Sequence, residues 1–209
     1  MSHTAGLPPK PDPRTGQPRP PRAPLEPEWK RAEKKRSGGE NKAPQAPEGE
    51  SPVLEWFYPA RGQSFGIGLA ISVIVFVFGV IRDSGFGWMT TWWLWLFIVP
   101  WPFITLLTGR NTRMSAGADW LRYGKNGFVG TYELTSVKVT TEGASRVLQL
   151  TDAAGRELSA QLNDLQRNRE LWDLVYNGIL HSVRGNGTET NKLARTFLDL
   201  DNPLRFRGE

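Results

Sequence analysis

The hydrophobic pattern of the chain is strongest in its middle third. Residues 62–81 and 84–109 carry no charged side chain and are separated only by Arg82 and Asp83. A helix needs about 20 apolar residues to cross the hydrocarbon core of a bilayer, and backbone groups in lipid must pair within the segment. The pattern therefore predicts a two-helix transmembrane hairpin over residues 62–109. The alternative is a pair of helices buried in a globular core.

Tryptophan is concentrated around these two segments and favours the membrane interpretation. An indole ring suits a membrane interface, where one end of the ring is apolar and the other is wet. We therefore predict membrane-interface positions at Trp56, Trp88, Trp92, Trp93 and Trp101. A lining for a ligand cavity is the alternative use of such a cluster.

Basic residues near the two segments predict how the hairpin is oriented. Arg110, Arg113, Arg122 and Lys125 follow the second segment, whereas only Arg82 lies in the turn. Because Lys and Arg resist translocation, we expect a multi-pass protein of the inner (plasma) membrane with both termini in the cytoplasm. The four basic residues after the hairpin are candidate contacts for anionic lipid or a protein partner.

After residue 109 the hydrophobic period changes to two, which is typical of strands. Short strands are predicted over residues 111–116, 120–123, 128–130, 132–141, 146–151 and 156–162. The last three are joined by tight turns and predict an antiparallel meander. We therefore expect an α+β domain over residues 110–185, built on an antiparallel sheet of about five strands.

A helix with one apolar stripe follows the strands and is expected to cap the sheet. The stripe comprises Leu165, Leu171, Trp172, Val175, Ile179 and Val183. Asn163 is the predicted N-cap, with a start at Asn168 as the alternative. Gly178 interrupts the stripe, which predicts a close contact with a strand. Gly185 or Gly187 provides the left-handed residue that ends the helix.

Both ends of the chain have a different character. Residues 1–58 are rich in proline and basic residues and are predicted to be a disordered tail. Within them, residues 18–24 contain the PxxP spacing that aromatic grooves recognise. Residues 186–209 form a second tail, in which Leu193, Phe197 and Leu200 predict a short amphipathic helix. That helix either packs on the domain or docks on a partner.

The order of strands, helix and membrane hairpin resembles that of a known class of protein. Residues 118–121, 132–137, 148–156 and 171–173 carry the resemblance, which is to the small pleckstrin-homology-like domains of bacterial membrane proteins. Residues 60–185 are also similar to uncharacterised two-helix membrane proteins that are common in actinobacteria. The resemblance implies a binding or scaffolding module with no active site.

The chemistry of the chain is sparse. It has no cysteine and only two histidines, His3 and His181, so no catalytic residue, metal site or cofactor is predicted. The net charge is +5, but acidic and basic residues are mixed along the chain, and direct nucleic-acid binding is not expected. The expected function is that of a non-enzymatic integral membrane protein whose domain binds protein or anionic lipid. The alternative is a small accessory subunit of a membrane complex, such as a secretion or conjugation apparatus, assembled through the tryptophan-rich hairpin.

Overall fold

A computed structural model of the protein describes residues 7–25, 43–58, 61–82, 85, 87–100, 103–104, 113–124, 127–143 and 145–201. The chain divides into two compact units. The main unit comprises residues 1–58 and 113–209, and the inserted unit comprises residues 59–112. The inserted unit therefore interrupts the main unit in sequence.

The inserted unit contains helix α1 (Arg61–Arg82), a 3-10 helix (Gly87–Thr90) and helix α2 (Trp92–Ile98). The Ser72 hydroxyl of α1 is within hydrogen-bonding distance of the Ile98 carbonyl, at 2.8 Å, and so links α1 to the end of α2. Some apolar side chains of α1 are more than half exposed, among them Ile74 and Ile81.

The prediction of a transmembrane hairpin is wrong. No helix in the described part of the chain is both long and apolar enough to cross a membrane. The second predicted helix is broken at Thr91, and α2 has only 7 residues, which span about 10 Å of a hydrocarbon core about 30 Å thick. The multi-pass location, the integral membrane function and the hairpin-assembled accessory subunit were all inferred from this hairpin, and they are corrected with it.

The main unit contains two four-stranded sheets. The first comprises β1 (Glu55–Phe57), β2 (Met114–Ala116), β3 (Trp120–Tyr123) and β4 (Phe128–Gly130), in that order and all antiparallel. The second comprises β5 (Leu134–Glu142), β6 (Ser145–Asp152), β7 (Glu157–Gln161) and β8 (Glu189–Thr190). Its order is β7-β6-β5-β8, and the short β8 pairs with β5 in parallel.

The predicted single sheet of about five strands is therefore replaced by two sheets. Two strands were absent from the prediction: β1, whose aromatic residues suggested a membrane interface, and β8, which has only 2 residues. The predicted meander is confirmed, since β5, β6 and β7 pair antiparallel in chain order. Their alternating side chains bury Val137, Val139, Leu148 and Leu150 on one face.

Among the described residues of the main unit, three helices follow β7 or β8, where the sequence predicted one capping helix and one short tail helix. They are α3 (Leu162–Arg167), α4 (Arg169–Gly185) and α5 (Lys192–Phe197). The side chain of Asn168 accepts hydrogen bonds from the backbone N–H groups of Glu170 and Leu171, so the second of the two predicted N-caps begins α4. The left-handed residue after α4 is Gly187, with φ of +67°.

Helix α4 forms the centre of the core and packs against β1, β2 and β5. Its apolar stripe buries Leu171, Trp172, Val175 and Ile179 completely or almost completely. Gly178 lies so close to Thr131, the residue after β4, that a Cβ atom there would overlap the Thr131 side chain. The close contact predicted for Gly178 is thus confirmed.

The described N-terminal residues also belong to the main unit. The indole N–H of Trp120 donates to the Ser51 carbonyl at 2.8 Å, and the Ser51 hydroxyl donates to Asp119 at 2.6 Å. Ala23 is 2% exposed and lies within the core cluster. The prediction of a disordered tail over residues 1–58 did not anticipate these contacts; residues 26–42 lie outside the described residues. At the other end, Leu198 and Leu200 are buried beside α5.

Candidate functional site

The outer face of α4 carries a row of polar side chains. Glu170, Asp173, Asn177 and His181 recur at steps of three and four residues, which places them on one face of the helix. The row extends for about 16 Å along the helix axis at 1.5 Å per residue. The opposite face of α4 is buried in the core, so this row faces away from the core cluster, although Asp173 and Asn177 are themselves buried.

The proline-rich N-terminal segment, residues 7–25, lies along this row, with residues 8 and 9 at its C-terminal end and residues 19–24 at its N-terminal end. At one end, the His181 Nε2 atom is 2.7 Å from the Pro8 carbonyl oxygen, and Asn177 Nδ2 donates to the Pro9 carbonyl oxygen at 3.3 Å. At the other end, the Ala23 N–H donates to Asp173 at 2.8 Å, and the Trp172 indole N–H donates to the Pro24 carbonyl oxygen at 2.8 Å. The helix row and Trp172 together are called the α4 groove below.

Three of these contacts involve proline carbonyl oxygens. Proline has no backbone N–H, and an extended proline-rich segment makes no internal hydrogen bonds, so its carbonyl oxygens need partners from outside. Trp172, Asn177 and His181 supply the donors. The donor from Trp172 belongs to a fully buried residue, and a buried N–H without a partner is costly.

A turn divides the docked segment into two runs. The Asp12 carboxylate accepts hydrogen bonds from the backbone N–H groups of Arg14 and Thr15, both at 2.9 Å. Gly16 has φ of +65°, and a Cβ atom there would approach the Leu54 side chain to 3.0 Å. The turn thus needs glycine at this position, and it lets both runs of the segment reach the same helix.

Apolar and aromatic contacts anchor each run. Ala23 is 2% exposed, and Leu7 and Leu25 pack against the core while remaining partly exposed. The Lys10 ammonium lies 4.6 Å from the centre of the Tyr132 ring, a distance typical of a cation–π contact. The segment is therefore held by side chains as well as by its backbone.

The pKa of Asp173 is raised in the groove. Burial raises its pKa to about 6, against the opposing effects of the Ala23 N–H and of the guanidinium groups of Arg169 and Arg22. Arg169 Nε is 3.3 Å and Arg22 Nη1 is 3.7 Å from the Asp173 carboxylate. Since the pKa is about 6, Asp173 is mostly ionised at neutral pH and gains a proton in mildly acidic conditions.

The pKa of His181 is shifted downwards, so the groove favours the neutral form of this side chain. Burial lowers its pKa below the usual 6.5, and the charge of Lys10 adds to the effect, while the bond to Pro8 opposes both. The ring is therefore neutral at pH 7. A carbonyl oxygen only accepts, so the neutral ring that binds Pro8 carries its proton on Nε2.

The docked segment leaves part of the groove unused. A cleft of about 310 Å³ remains beside it, lined by residues that include Arg19, Pro20 and Arg22 of the segment and Leu54 and Leu174 of the surrounding domain. In addition, the Asn177 Oδ1 atom is buried without a hydrogen-bond partner. The groove thus offers both space and an acceptor that the chain's own segment does not use.

Of the four basic residues predicted as lipid or partner contacts, the structure describes Arg113 and Arg122. The Arg113 guanidinium lies 5.2 Å from the centre of the Tyr58 ring, and Arg122 Nη1 donates to the Gln45 carbonyl oxygen at 3.3 Å. Arg110 and Lys125 lie outside the described residues. The role of the four residues in lipid or partner contact stays a prediction.

The predicted membrane-interface tryptophans are divided between the two units. Trp56 lies in β1 of the main unit, where its carbonyl oxygen accepts a hydrogen bond from Asn168. In the inserted unit, Trp92 is 74% exposed. Trp88 and Trp93 lie in helical segments, but their side chains and the whole of Trp101 lie outside the described residues.

Sequence reasoning did not identify the α4 groove. Trp172 was assigned to the apolar stripe and His181 was given no binding role, whereas both contact the docked segment. The available signals were the PxxP spacing in residues 18–24 and the polar row of α4, and nothing in the sequence connects them. No metal-binding group of His, Asp or Glu side chains occurs among the described residues.

Comparison with known proteins adds no relative to this picture. No protein-family model, curated protein or solved structure matches the chain. The functional argument therefore rests on the groove itself.

Proposed function

We propose that the main unit is a non-enzymatic recognition module that binds extended proline-rich peptides along α4, and that residues 7–25 occupy this site as an intramolecular ligand. One observation carries the proposal: Trp172, Asn177 and His181 each pair with a proline carbonyl oxygen. Proline-rich segments are commonly recognised in this way, because they are already extended and lose little entropy on binding.

The ionisable groups of the groove support binding over catalysis. Asp173 already accepts a hydrogen bond from a peptide N–H, and His181 is neutral and contacts a peptide carbonyl oxygen. Each is therefore used to hold peptide backbone, the role expected in a binding groove.

The alternative is that residues 7–25 are a permanent structural part of the main unit and not a replaceable ligand. Two features favour a replaceable ligand: the cleft of about 310 Å³ beside the segment and the unused acceptor of Asn177. A better-fitting peptide gains from both. Because a tethered ligand has an effective concentration on the order of 1 mM, an external peptide binds the intact chain only in competition with it.

The test uses the full chain and a labelled peptide comprising residues 7–25. In the variant Ala23→Glu, a charged side chain replaces a residue that is 2% exposed, so the chain's own segment is expelled. Fluorescence anisotropy should show that this variant binds the peptide at least tenfold more tightly than the unmodified chain. Gln17→Glu is the matched control: it makes the same charge change at an exposed position of the segment and should behave like the unmodified chain.

A second substitution locates the peptide. Adding Trp172→Phe to the Ala23→Glu chain keeps an aromatic ring but removes the N–H that pairs with Pro24, and binding should weaken by about tenfold. Circular dichroism melts establish that each variant is folded. A folded Ala23→Glu chain that shows no affinity for the peptide would contradict the proposal.

A further inference from the structure

We infer that the α4 groove selects basic proline-rich peptides that carry two arginines three positions apart, and that Glu55, Glu170 and Asp173 read these arginines. The inference rests on the proposed function and adds the class of ligand. Within the chain's own segment, the two arginines are Arg19 and Arg22.

Each arginine of the segment faces carboxylates of the groove. The Arg19 guanidinium is 3.2 Å from the Glu170 carboxylate and 4.0 Å from that of Glu55. The Arg22 guanidinium is 3.7 Å from the Asp173 carboxylate. Arginine suits such a role because its planar guanidinium offers several donors to a carboxylate.

The two sets face each other although their spacing differs, since three residues cover about 9 Å in polyproline II and about 4.5 Å in a helix, a difference that the long arginine side chains bridge. A polyproline II segment has three residues per turn, so two side chains three positions apart point to the same side. On α4, Glu170 and Asp173 are also three positions apart and share a face of the helix. An extended proline-rich ligand with this spacing therefore presents both arginines to both carboxylates at once.

The arginine side chains are more exposed than the carboxylate side chains, as expected for a ligand and its binding groove. The side chains of Arg19 and Arg22 are 60% and 67% exposed, whereas those of Glu55, Glu170 and Asp173 are 21%, 30% and 8% exposed. The carboxylates thus belong to the domain, and the arginines reach them from outside.

Asp173 keeps a partner when the segment leaves. The Arg169 guanidinium of α4 itself lies 3.3 Å from the Asp173 carboxylate. The fold therefore does not need Arg22 to balance the charge of Asp173. Arg22 has a role in choosing the ligand, and its loss should leave the domain folded.

The expected size of the selection is moderate. Partly exposed ion pairs are individually weak and are screened by salt. Replacing either arginine of the peptide with glutamine should weaken binding by about threefold, and replacing both by about tenfold. Replacement with lysine should give an intermediate loss, since lysine offers only a point charge.

The experiment compares labelled peptides of residues 7–25 on the full-length Ala23→Glu chain at low salt. Arg19→Gln and Arg22→Gln peptides should bind more weakly than the unmodified peptide. An Arg14→Gln peptide is the matched control, because it removes the same charge from the turn instead of from the carboxylate row. The difference between the unmodified and doubly substituted peptides should shrink as salt is raised.

Exchanging the charges of Glu170 and Arg19 tests the same contact by restoring affinity instead of only reducing it. Glu170→Arg in the chain should bind the unmodified peptide more weakly and should recover affinity for a peptide with Arg19→Glu. If the arginine variants bind as tightly as the unmodified peptide, the inference is wrong while recognition of proline-rich segments stands. If no peptide binds, both the inference and the proposed function are wrong.

Discussion

Two almost fully buried aspartates of the main unit have pKa values shifted in opposite directions. Burial raises the pKa of Asp173 to about 6. Burial acts in the same direction on Asp152, but hydrogen bonds from the backbone N–H groups of Gly130 and Arg156, together with the Arg156 guanidinium, outweigh it and lower the pKa. The number of donors around each carboxylate, and not burial alone, decides the sign.

The variant Asp173→Asn should stabilise the main unit at neutral pH. Because the folded chain holds the Asp173 proton more tightly than the unfolded chain, this group makes the free energy of unfolding fall as pH rises from about 4 to about 6. Asparagine removes that loss, which amounts to about 1 to 3 kcal/mol, and its amide oxygen still accepts from the Ala23 N–H. Urea unfolding between pH 4 and pH 8 measures the effect.

The variant Asp152→Asn should have the opposite effect on stability. The lowered pKa of Asp152 means that its ionised form stabilises the fold, and this contribution is lost as pH falls through the folded-state pKa. The asparagine variant should therefore be less stable than the unmodified chain at pH 7 and should approach it in acid. Equal pH profiles for the two variants would contradict the assignments.

Gly178→Ala tests the tightest contact of α4. Alanine normally favours a helix over glycine by about 1 kcal/mol. Here its Cβ atom would overlap the Thr131 side chain and lie 2.9 Å from the Thr131 backbone oxygen. We expect a loss of about 2 kcal/mol or more in the free energy of unfolding, as overpacked cores show. Gly185→Ala is the control, since it has open space around it and should be neutral or stabilising.

At the scale of elements, the main unit is interrupted between two strands that are direct partners. Phe57 of β1 pairs with Met114 of β2, and the Tyr58 ring faces the Arg113 guanidinium. The antiparallel pair thus continues to the points at which residues 59–112 begin and end. A two-residue turn suffices to join strands in this arrangement.

Replacing residues 59–112 with Asn-Gly should leave the main unit folded. Tyr58 and Arg113 would then flank a two-residue hairpin turn, for which Asn-Gly is well suited. Circular dichroism should show retained sheet and helix signals, and the melting temperature should not fall. A joint of Pro-Pro is the control, because it does not adopt this turn; it should lower the melting temperature. Loss of cooperative unfolding with Asn-Gly would show that the main unit depends on the insertion.

The sequence predicted some elements well and others poorly, for identifiable reasons. Strands β2 to β7 were all predicted, and the alternation between core and surface is clearest in β4 and β7. Helix α4 was predicted because its stripe repeats at helical spacing. Strand β1 was missed because its partner lies beyond the insertion. The membrane hairpin was predicted from two charge-free stretches and their tryptophans, which do not reveal the break at Thr91 between the 3-10 helix and α2.

At the scale of the whole molecule, one chain contains both a groove and a segment that occupies it. The contacts between them join residues about 150 positions apart, such as Ala23 with Asp173. Local patterns do not encode such pairings, which explains why the PxxP spacing and the polar row of α4 were both visible and yet unconnected.

Removing residues 1–25 should destabilise the main unit and make its stability depend on added peptide. The truncated chain leaves the Trp172 N–H and Asp173 without partners from the segment, at a cost of about 1 to 3 kcal/mol. A peptide of residues 7–25 should raise the melting temperature progressively with its concentration, because it binds the folded state only. A scrambled peptide of the same composition is the control, and an equal rise with both would contradict sequence-specific docking.

The pairing of β1 with β2 also determines how the main unit responds to tension. The two connections to residues 59–112 leave from neighbouring ends of an antiparallel pair. A pull on both connections along the strand direction draws β1 and β2 the same way, so it does not slide one strand past the other or open their hydrogen bonds in sequence. The load passes instead to the contacts of β1 and β2 with α4 and of β2 with β3. The force needed to unfold the main unit should therefore be higher when it is applied at the insertion than when it is applied at residue 7, where it acts directly on the docked segment.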